Sequence, residues 1–238
     1  MATGWGRWVL AAAAVLYGGV DLFWPTAAGW LRVVAAIEMA GGLMLLAPAA
    51  QGVITRTGAT LLTAVYLLLT ALTLPEVARH SWVFNSWGDT GEQLSRLAGA
   101  ALLLAMIQPL ARRLAKPAYW VFGVCVASFA IEQWVYFAPT VALVPQWLPP
   151  GQVFWAAITT VGFGLAAAAL LAQRAALPAA RLLTFMLLVF AGLVWIPILT
   201  AHPQVMGNWT EFAETLSIAG AAWVVSDFLT GATRRGAQ

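Results

Sequence analysis

Charge is what this chain has least of. Only 9% of its residues are Asp, Glu, Lys or Arg, against roughly 25% in a soluble domain. A shortfall of that size excludes a fold solvated mainly by water and puts lipid in water's place. The few basic residues are scattered and the net charge is only +3, so no basic face for nucleic acid can form. Cysteine is almost absent as well. The single Cys125 sits in an apolar run, which rules out an intrachain disulfide and a CxxC redox centre. A Walker loop, a zinc motif and a nucleophile–base arrangement are also missing. Gly162-x-Gly164 lacks both a third glycine and a preceding strand, so it carries no dinucleotide signal.

What is present is apolar. Hydrophobic residues make up 62% of the chain, gathered into eight segments near 7–24, 30–47, 57–74, 92–109, 118–137, 152–171, 181–199 and 212–229. Each is close to the roughly 20 residues that a spanning helix needs. Pro25, Pro48, Pro75, Pro109, Pro117, Pro139, Pro178 and Pro197 punctuate the segment ends, where a missing N–H does least harm. Most of the 13 tryptophans fall near those ends, the level at which amphipathic rings favour the headgroup layer. The fold class that follows is an all-α membrane protein of eight transmembrane helices, with the lipid bilayer as its first partner.

Those helices form two fused four-helix repeats. Pro75, His80, Trp87, Glu92, Leu94 and Ser95 reappear, each 122 positions on, as Pro197, His202, Trp209, Glu214, Leu216 and Ser217. The shared pattern is P-x4-H-x6-W-x4-E-x-L-S, and an ungapped match of that kind marks a tandem duplication. Phe23, Pro25, Thr26 and Ala28 return as Phe137, Pro139, Thr140 and Ala142 at an offset of 114, and an insertion around 144–151 accounts for the difference. The repeats are 1–113 and 114–238, divided at the loop Arg112–Lys116. Segment one could pass for a signal peptide, but its partner in the second repeat is a mature membrane helix, so it is expected to stay. Gly41-Gly42 and Gly162-x-Gly164 are expected as notches for close helix packing.

Orientation follows from basic residues. Arg7, Arg56, Arg112, Arg113, Lys116, Arg174, Arg181, Arg234 and Arg235 fall on the side shared by the termini, and Arg79 alone lies in a loop on the other. This bias places both termini in the cytoplasm of a cell (inner) membrane protein. The hinges carrying His80 and His202 then face outward, and with four helices per repeat the halves are related by a pseudo-twofold axis along the membrane normal.

Charges inside a membrane helix are costly, so their positions carry the functional signal. Arg32 falls just below the outer end of the second segment, and Glu38 is six residues, about 9 Å, deeper. Arg96 is about one turn into the fourth segment, and Glu132, followed by Gln133, is near the outer end of the fifth. Two readings are open. Either these charges are buried ion pairs that join helices, with Glu92 and Arg96 also spaced to pair at i, i+4. Or Arg32, Glu38, Arg96, Glu132 and Gln133 line a pocket for a small ligand, such as a quinone headgroup or a proton. Arg32, Glu38, Arg96 and Glu132 match Phe154, Thr160, Ile218 and Gly18 in the other repeat, which favours one site over two. A second constellation, in the outward hinges, comprises His80, Glu92, His202 and Glu214. Two imidazoles and a carboxylate are metal-ligand types. The simpler account is that each histidine holds its loop and each glutamate caps the first turn of its helix, so no metal is expected.

A four-helix unit whose outward loop holds Pro and His and leads into a helix opening with Glu resembles the DoxX-like family. Pro75, His80, Trp87, Glu92 and their copies Pro197, His202, Trp209, Glu214 carry the likeness, over the whole chain as two units where typical members have one. The resemblance implies a small integral membrane protein, with some members acting as quinone-linked redox subunits and others as assembly factors or chaperones. The duplication and the unmatched embedded charges depart from the family pattern. The leading expectation is a redox-associated membrane subunit with quinone as its candidate cofactor and other membrane or redox subunits as its partners. The alternatives are a non-catalytic scaffold, assembly factor or chaperone, or else a small transporter. Whether the chain is an enzyme stays open.

Overall fold

A computed structural model describes residues 4–24, 29–48 and 52–236 of the chain, the last three as backbone. The regular elements among them are all helical: α1 (Trp5–Phe23), α2 (Gly29–Leu45), α3 (Gly52–Arg79), α4 (Phe84–Ile107), α5 (Ala115–Val135), α6 (Phe137–Leu143), α7 (Gln152–Leu171), α8 (Ala176–Phe190), α9 (Ile196–Ala201) and α10 (Met206–Gly236). A 3-10 turn over Pro109–Leu114 joins α4 to α5, and a π turn over Ala191–Trp195 joins α8 to α9. In lipid no water can take up backbone N–H and C=O groups, so a helix that satisfies its own is the stable choice. Threonine hydroxyls do the same: Thr70, Thr160 and Thr184 each donate to a carbonyl four residues back.

Six stretches are long and apolar enough to cross a membrane: 5–23, 52–79, 109–135, 152–171, 176–201 and 206–233. They make the chain a multi-pass, all-helical membrane protein. The other two expected spans differ from them in kind. With 17 residues, α2 is about 26 Å long, short of a hydrocarbon core of about 30 Å. Although α4 has 24 residues, it carries Asp89, Glu92 and Arg96.

The helices close into a ring. α1 packs on α2, α2 on α3, α3 on α4, α4 on α5, α5 on α7, α7 on α8, α8 on α10, and α10 back on α1, while α4 and α10 also meet across the middle. The sequence of neighbours α1-α2-α3-α4 is repeated by α5-α7-α8-α10, and the junction α4–α5 is repeated by α10–α1. At the central crossing Gly99 faces Ala221, and a Cβ on Gly99 would lie 2.5 Å from the Ala221 Cβ. These positions are 122 apart, so the chain meets its own equivalent residue there, as happens on a twofold axis. The core around this crossing is filled by Leu62, Leu102, Phe122, Leu170 and Val225.

Both hinges are built from the same bonds. The His80 N–H donates to Glu76 O, the Val83 N–H to His80 O, and the Trp87 indole to Ser81 O. The His202 N–H donates to Ile198 O, the Val205 N–H to His202 O, and the Trp209 indole to Pro203 O. Each indole closes its turn by binding a carbonyl six residues back. The following helix therefore starts earlier than hydrophobicity indicates, at Phe84 and Met206. This corrects the placement of Glu92 and Glu214 in a first helical turn, since the first turns of α4 and α10 hold no acidic residue.

Three other expectations are corrected. Pro75 does not end its helix, because α3 runs through it to Arg79; a membrane helix tolerates the lost bond when its neighbours enclose the freed carbonyl. The segment 112–116 is helical rather than a loop. Gly164 is no packing notch, as nothing approaches it within 4 Å, whereas Gly42 lies against the Ala11 carbonyl of α1. Arg7 is 3% exposed and lies over the Trp8 ring at 4.3 Å. Pro25, Thr26 and Ala28 of the repeat match, and the side chains of Arg234 and Arg235, lie outside the described residues.

Candidate functional site

The site grows from Arg96, which is fully enclosed midway along α4 rather than one turn from its outer end, because the helix starts at Phe84. Its guanidinium lies over the Tyr17 ring from α1, 4.4 Å from the centroid, with the Tyr66 ring from α3 at 5.6 Å. Such stacking contributes cation–π attraction in a desolvated place but satisfies no N–H. Nε, Nη1 and Nη2 of Arg96 all lack a hydrogen-bond partner. The carboxylate of Glu38, 1% exposed, and that of Glu214 on α10 lie within electrostatic reach. Neither forms an ion pair within 4.0 Å; the ion pairs among the described residues are Glu76 with Arg79 and with His80.

The other walls of this space are orphaned too. Glu214 Oε1 and Gln93 Oε1 are buried without partners, and the buried Tyr66 hydroxyl and Glu38 carboxyl lie beside each other and can satisfy one another. An unmade hydrogen bond to a buried polar group costs about 1–3 kcal/mol, so a cluster of them around one guanidinium marks a place where polar atoms other than the chain's own are wanted. Glu38 and Glu214 both lie within electrostatic reach of the unpartnered guanidinium of Arg96. A molecule with both an acceptor oxygen and a hydroxyl would answer both the guanidinium and the carboxylates.

The remaining expected residues lie elsewhere. Arg32 is exposed, reaches the Trp24 carbonyl with Nη2 at 3.4 Å, and lines a shallow apolar groove with Leu22, Val33 and Ala36. It is six residues from Glu38, and at 100° per residue the two leave α2 about 120° apart. Glu132 crosses to α4, where its Oε1 would lie 2.6 Å from a Cβ on Gly88, and its neighbours are the carboxylates Asp89, Glu211 and Glu214. Gln133 turns to α7 and accepts from Thr160 at 3.1 Å and Thr159 at 3.4 Å. In the hinges His80 Nδ1 contacts Glu76 Oε1 at 2.6 Å, and His202 is exposed. Glu92 forms no ion pair with Arg96 one turn below it; the charges around it are the carboxylates of Glu214, Glu132 and Glu211. Among the described residues no three of His, Cys, Asp and Glu gather as a metal ion requires.

Sequence reasoning missed Tyr17 and Tyr66. The chain has only 4 tyrosines, and their counterparts in the other repeat are Ile131 and Leu188. Comparison of the halves for polar residues that lose their partner, rather than for charges alone, would have found both. No family model, curated protein or solved structure matches the chain.

Proposed function

We propose that the protein is a redox-associated subunit of the cell (inner) membrane, built from two DoxX-like four-helix units that together cross the bilayer eight times. In this reading both termini are cytoplasmic, the hinges face outward, and one pocket in the outer half of the membrane takes a quinone headgroup. The observation that carries the pocket is Arg96: a fully enclosed guanidinium with no hydrogen-bond partner on any nitrogen and with Glu38 and Glu214 in electrostatic reach. A quinone or quinol offers the required mixture, since its carbonyl oxygen accepts from Arg96 and its hydroxyl donates to Glu38. The tandem reading draws support from the repeated order of helix neighbours, the matched hinge bonds and the meeting of Gly99 with Ala221. The site would be single, because Tyr17, Glu38, Tyr66 and Arg96 correspond to Ile131, Thr160, Leu188 and Ile218. The lack of ion pairs within 4.0 Å at Glu38, Arg96 and Glu132 weighs against these charges acting only as staples between helices.

Protein purified in a mild detergent without added lipid should yield an isoprenoid quinone on solvent extraction. Arg96→Met and Glu38→Gln should each lose it, and Thr160→Val, at the matching position of the other repeat, should keep it. Extracts free of quinone, or quinone retained by both pocket variants, would overturn the reading.

Orientation has its own test. Ser86 is buried and makes a poor probe, but Ser81, Gln204 and Lys116 are exposed. Ser81→Cys and Gln204→Cys should react in intact cells with a thiol reagent that cannot cross the membrane, and Lys116→Cys should not. The native Cys125, which is buried, should stay silent. Labelling at position 116 from outside would reverse the assignment.

A further inference from the structure

Arg32 leaves α2 about 120° away from Glu38, so it lies outside the Arg96 pocket, on the lipid-facing flank of the helix ring. It is exposed, one turn from the start of α2 at Gly29, and its Nη2 reaches the Trp24 carbonyl at the end of α1. Beside it runs a groove of about 550 Å3, lined by Leu22 of α1, Leu61 of α3, and Val33, Ala36, Ile37 and Ala40 of α2. Arg32, Ala36 and Ala40 are spaced i, i+4, i+8, and Val33 and Ile37 are spaced i, i+4, so the lining follows one side of α2. From Arg32 to Ala40 is eight residues, about 12 Å. α2 packs between α1 and α3, and its two alanines do little to fill the space between Leu22 and Leu61. Arg32 is the one charged residue in the lining.

The cation is at the headgroup end of this groove. α2 runs antiparallel to both neighbours: Gly18 lies beside Ala35 and Gly42 beside Ala11, while Gly41 lies beside Leu62 and Gly58 beside Leu45. Arg32 is therefore on the side of the bilayer that the hinges share. α2 is short of the hydrocarbon core, and a long basic side chain near a helix end holds its charge at the interface while its stem stays in apolar surroundings. The second repeat has no such arrangement. Phe154 and Ile158 stand at the positions of Arg32 and Ala36, both exposed, so α7 carries bulk and no cation where α2 carries a trough. A groove of similar volume, about 590 Å3, lies between α5 and α7, but its lining, which includes Ile131, Trp134, Ala157 and Val161, holds no charged residue.

We propose that this groove binds one anionic phospholipid from the leaflet on the hinge side, with the lipid phosphate on Arg32 and an acyl chain along Val33, Ala36, Ile37 and Ala40. The warrant is charge complementarity joined to shape. An apolar trough with a cation at its interfacial end matches an amphiphile with an anionic head and an apolar chain, and among the molecules that surround a membrane helix an anionic phospholipid has both. A guanidinium presents several N–H donors to phosphate oxygens, so the headgroup is selected at Arg32 and the chain is seated by the groove.

Native mass spectrometry of the detergent-solubilised protein, titrated with dioleoylphosphatidylglycerol or dioleoylphosphatidylcholine, tests the site. The wild type should hold one phosphatidylglycerol per chain in preference to phosphatidylcholine. Arg32→Gln should weaken phosphatidylglycerol binding about fivefold, the effect of one basic residue at a lipid surface. Arg32→Lys should restore most of it, because lysine still offers phosphate a point charge. Ala36→Phe keeps the cation but fills the groove, and it should weaken both lipids alike. Two controls should match the wild type: Arg79→Gln, which removes another hinge-side cation, and Ala157→Phe, in the uncharged groove. None of these four residues is buried, so the variants should unfold at the wild-type temperature. Equal retention of the two lipids by the wild type would overturn the proposal, as would unchanged binding in Ala36→Phe or an equal effect of Arg32→Gln and Arg79→Gln. A dimer that Ala36→Phe dissociates would overturn it too, since the groove would then hold a second copy of the chain.

Discussion

Replacing Arg96 by alanine should destabilise the protein more than any other single polar substitution, and Arg96→Met combined with Glu38→Gln should recover much of the loss. Arg96 is the one cation in reach of Glu38, which is 1% exposed. Without it Glu38 is left either ionised in a low-dielectric interior or forced to take up a proton, and the alanine leaves a void beneath Tyr17 and Tyr66. Removing one partner of a buried charge pair costs about 3–5 kcal/mol, whereas replacing both by uncharged residues of similar volume is often nearly neutral. Methionine fills most of the arginine volume and glutamine keeps the glutamate shape, so the double variant removes the cation together with the fully enclosed carboxylate in its reach. Thermal unfolding in detergent, followed by circular dichroism, reads the comparison. Equal losses for the single and double variants would show that the guanidinium matters through its volume alone.

Gly220→Ala should be nearly as damaging, although it adds only one methyl group. A Cβ at this position of α10 would lie 2.6 Å from the Cα and the N of Leu10 in α1. Those are backbone atoms, which cannot turn aside as a flexible side chain can, so α1 and α10 would have to separate. Overpacking typically costs about 1–3 kcal/mol, and here it acts on the contact that closes the ring. Gly164→Ala is the control. Nothing lies within 4 Å of that position, and alanine is favoured over glycine inside a helix by about 1 kcal/mol, so this variant should be neutral or slightly more stable. The pair can be compared by the same unfolding assay; equal behaviour at 164 and 220 would sink the close-contact account.

The helical plan was legible because its cause is local. A run of apolar residues in lipid must form a helix, and the same run marks its middle without reference to any neighbour. Helix ends were harder. Trp87 and Trp209 close the hinge turns by binding carbonyls across them, and nothing in hydrophobicity indicates that α4 starts at Phe84 rather than near residue 92. The embedded charges were found by composition but grouped by depth alone. Depth placed Arg32 with Glu38 and Glu92 with Arg96, while the side of the helix on which each leaves separates Arg32 from the pocket. The charges around Glu92 turned out to be Glu214, Glu132 and Glu211, on other helices, which spacing along one helix cannot reveal.

The meeting of α4 with α10 has a consequence for how a single site could arise. If two separate copies of one four-helix chain assembled with these contacts, every substitution would occur twice. An arginine at the position of Arg96 would then bring a second arginine near it across the axis, and the two like charges would oppose assembly. Joining the copies in one polypeptide frees each position from its twin. Ile218 can stay apolar while Arg96 becomes charged.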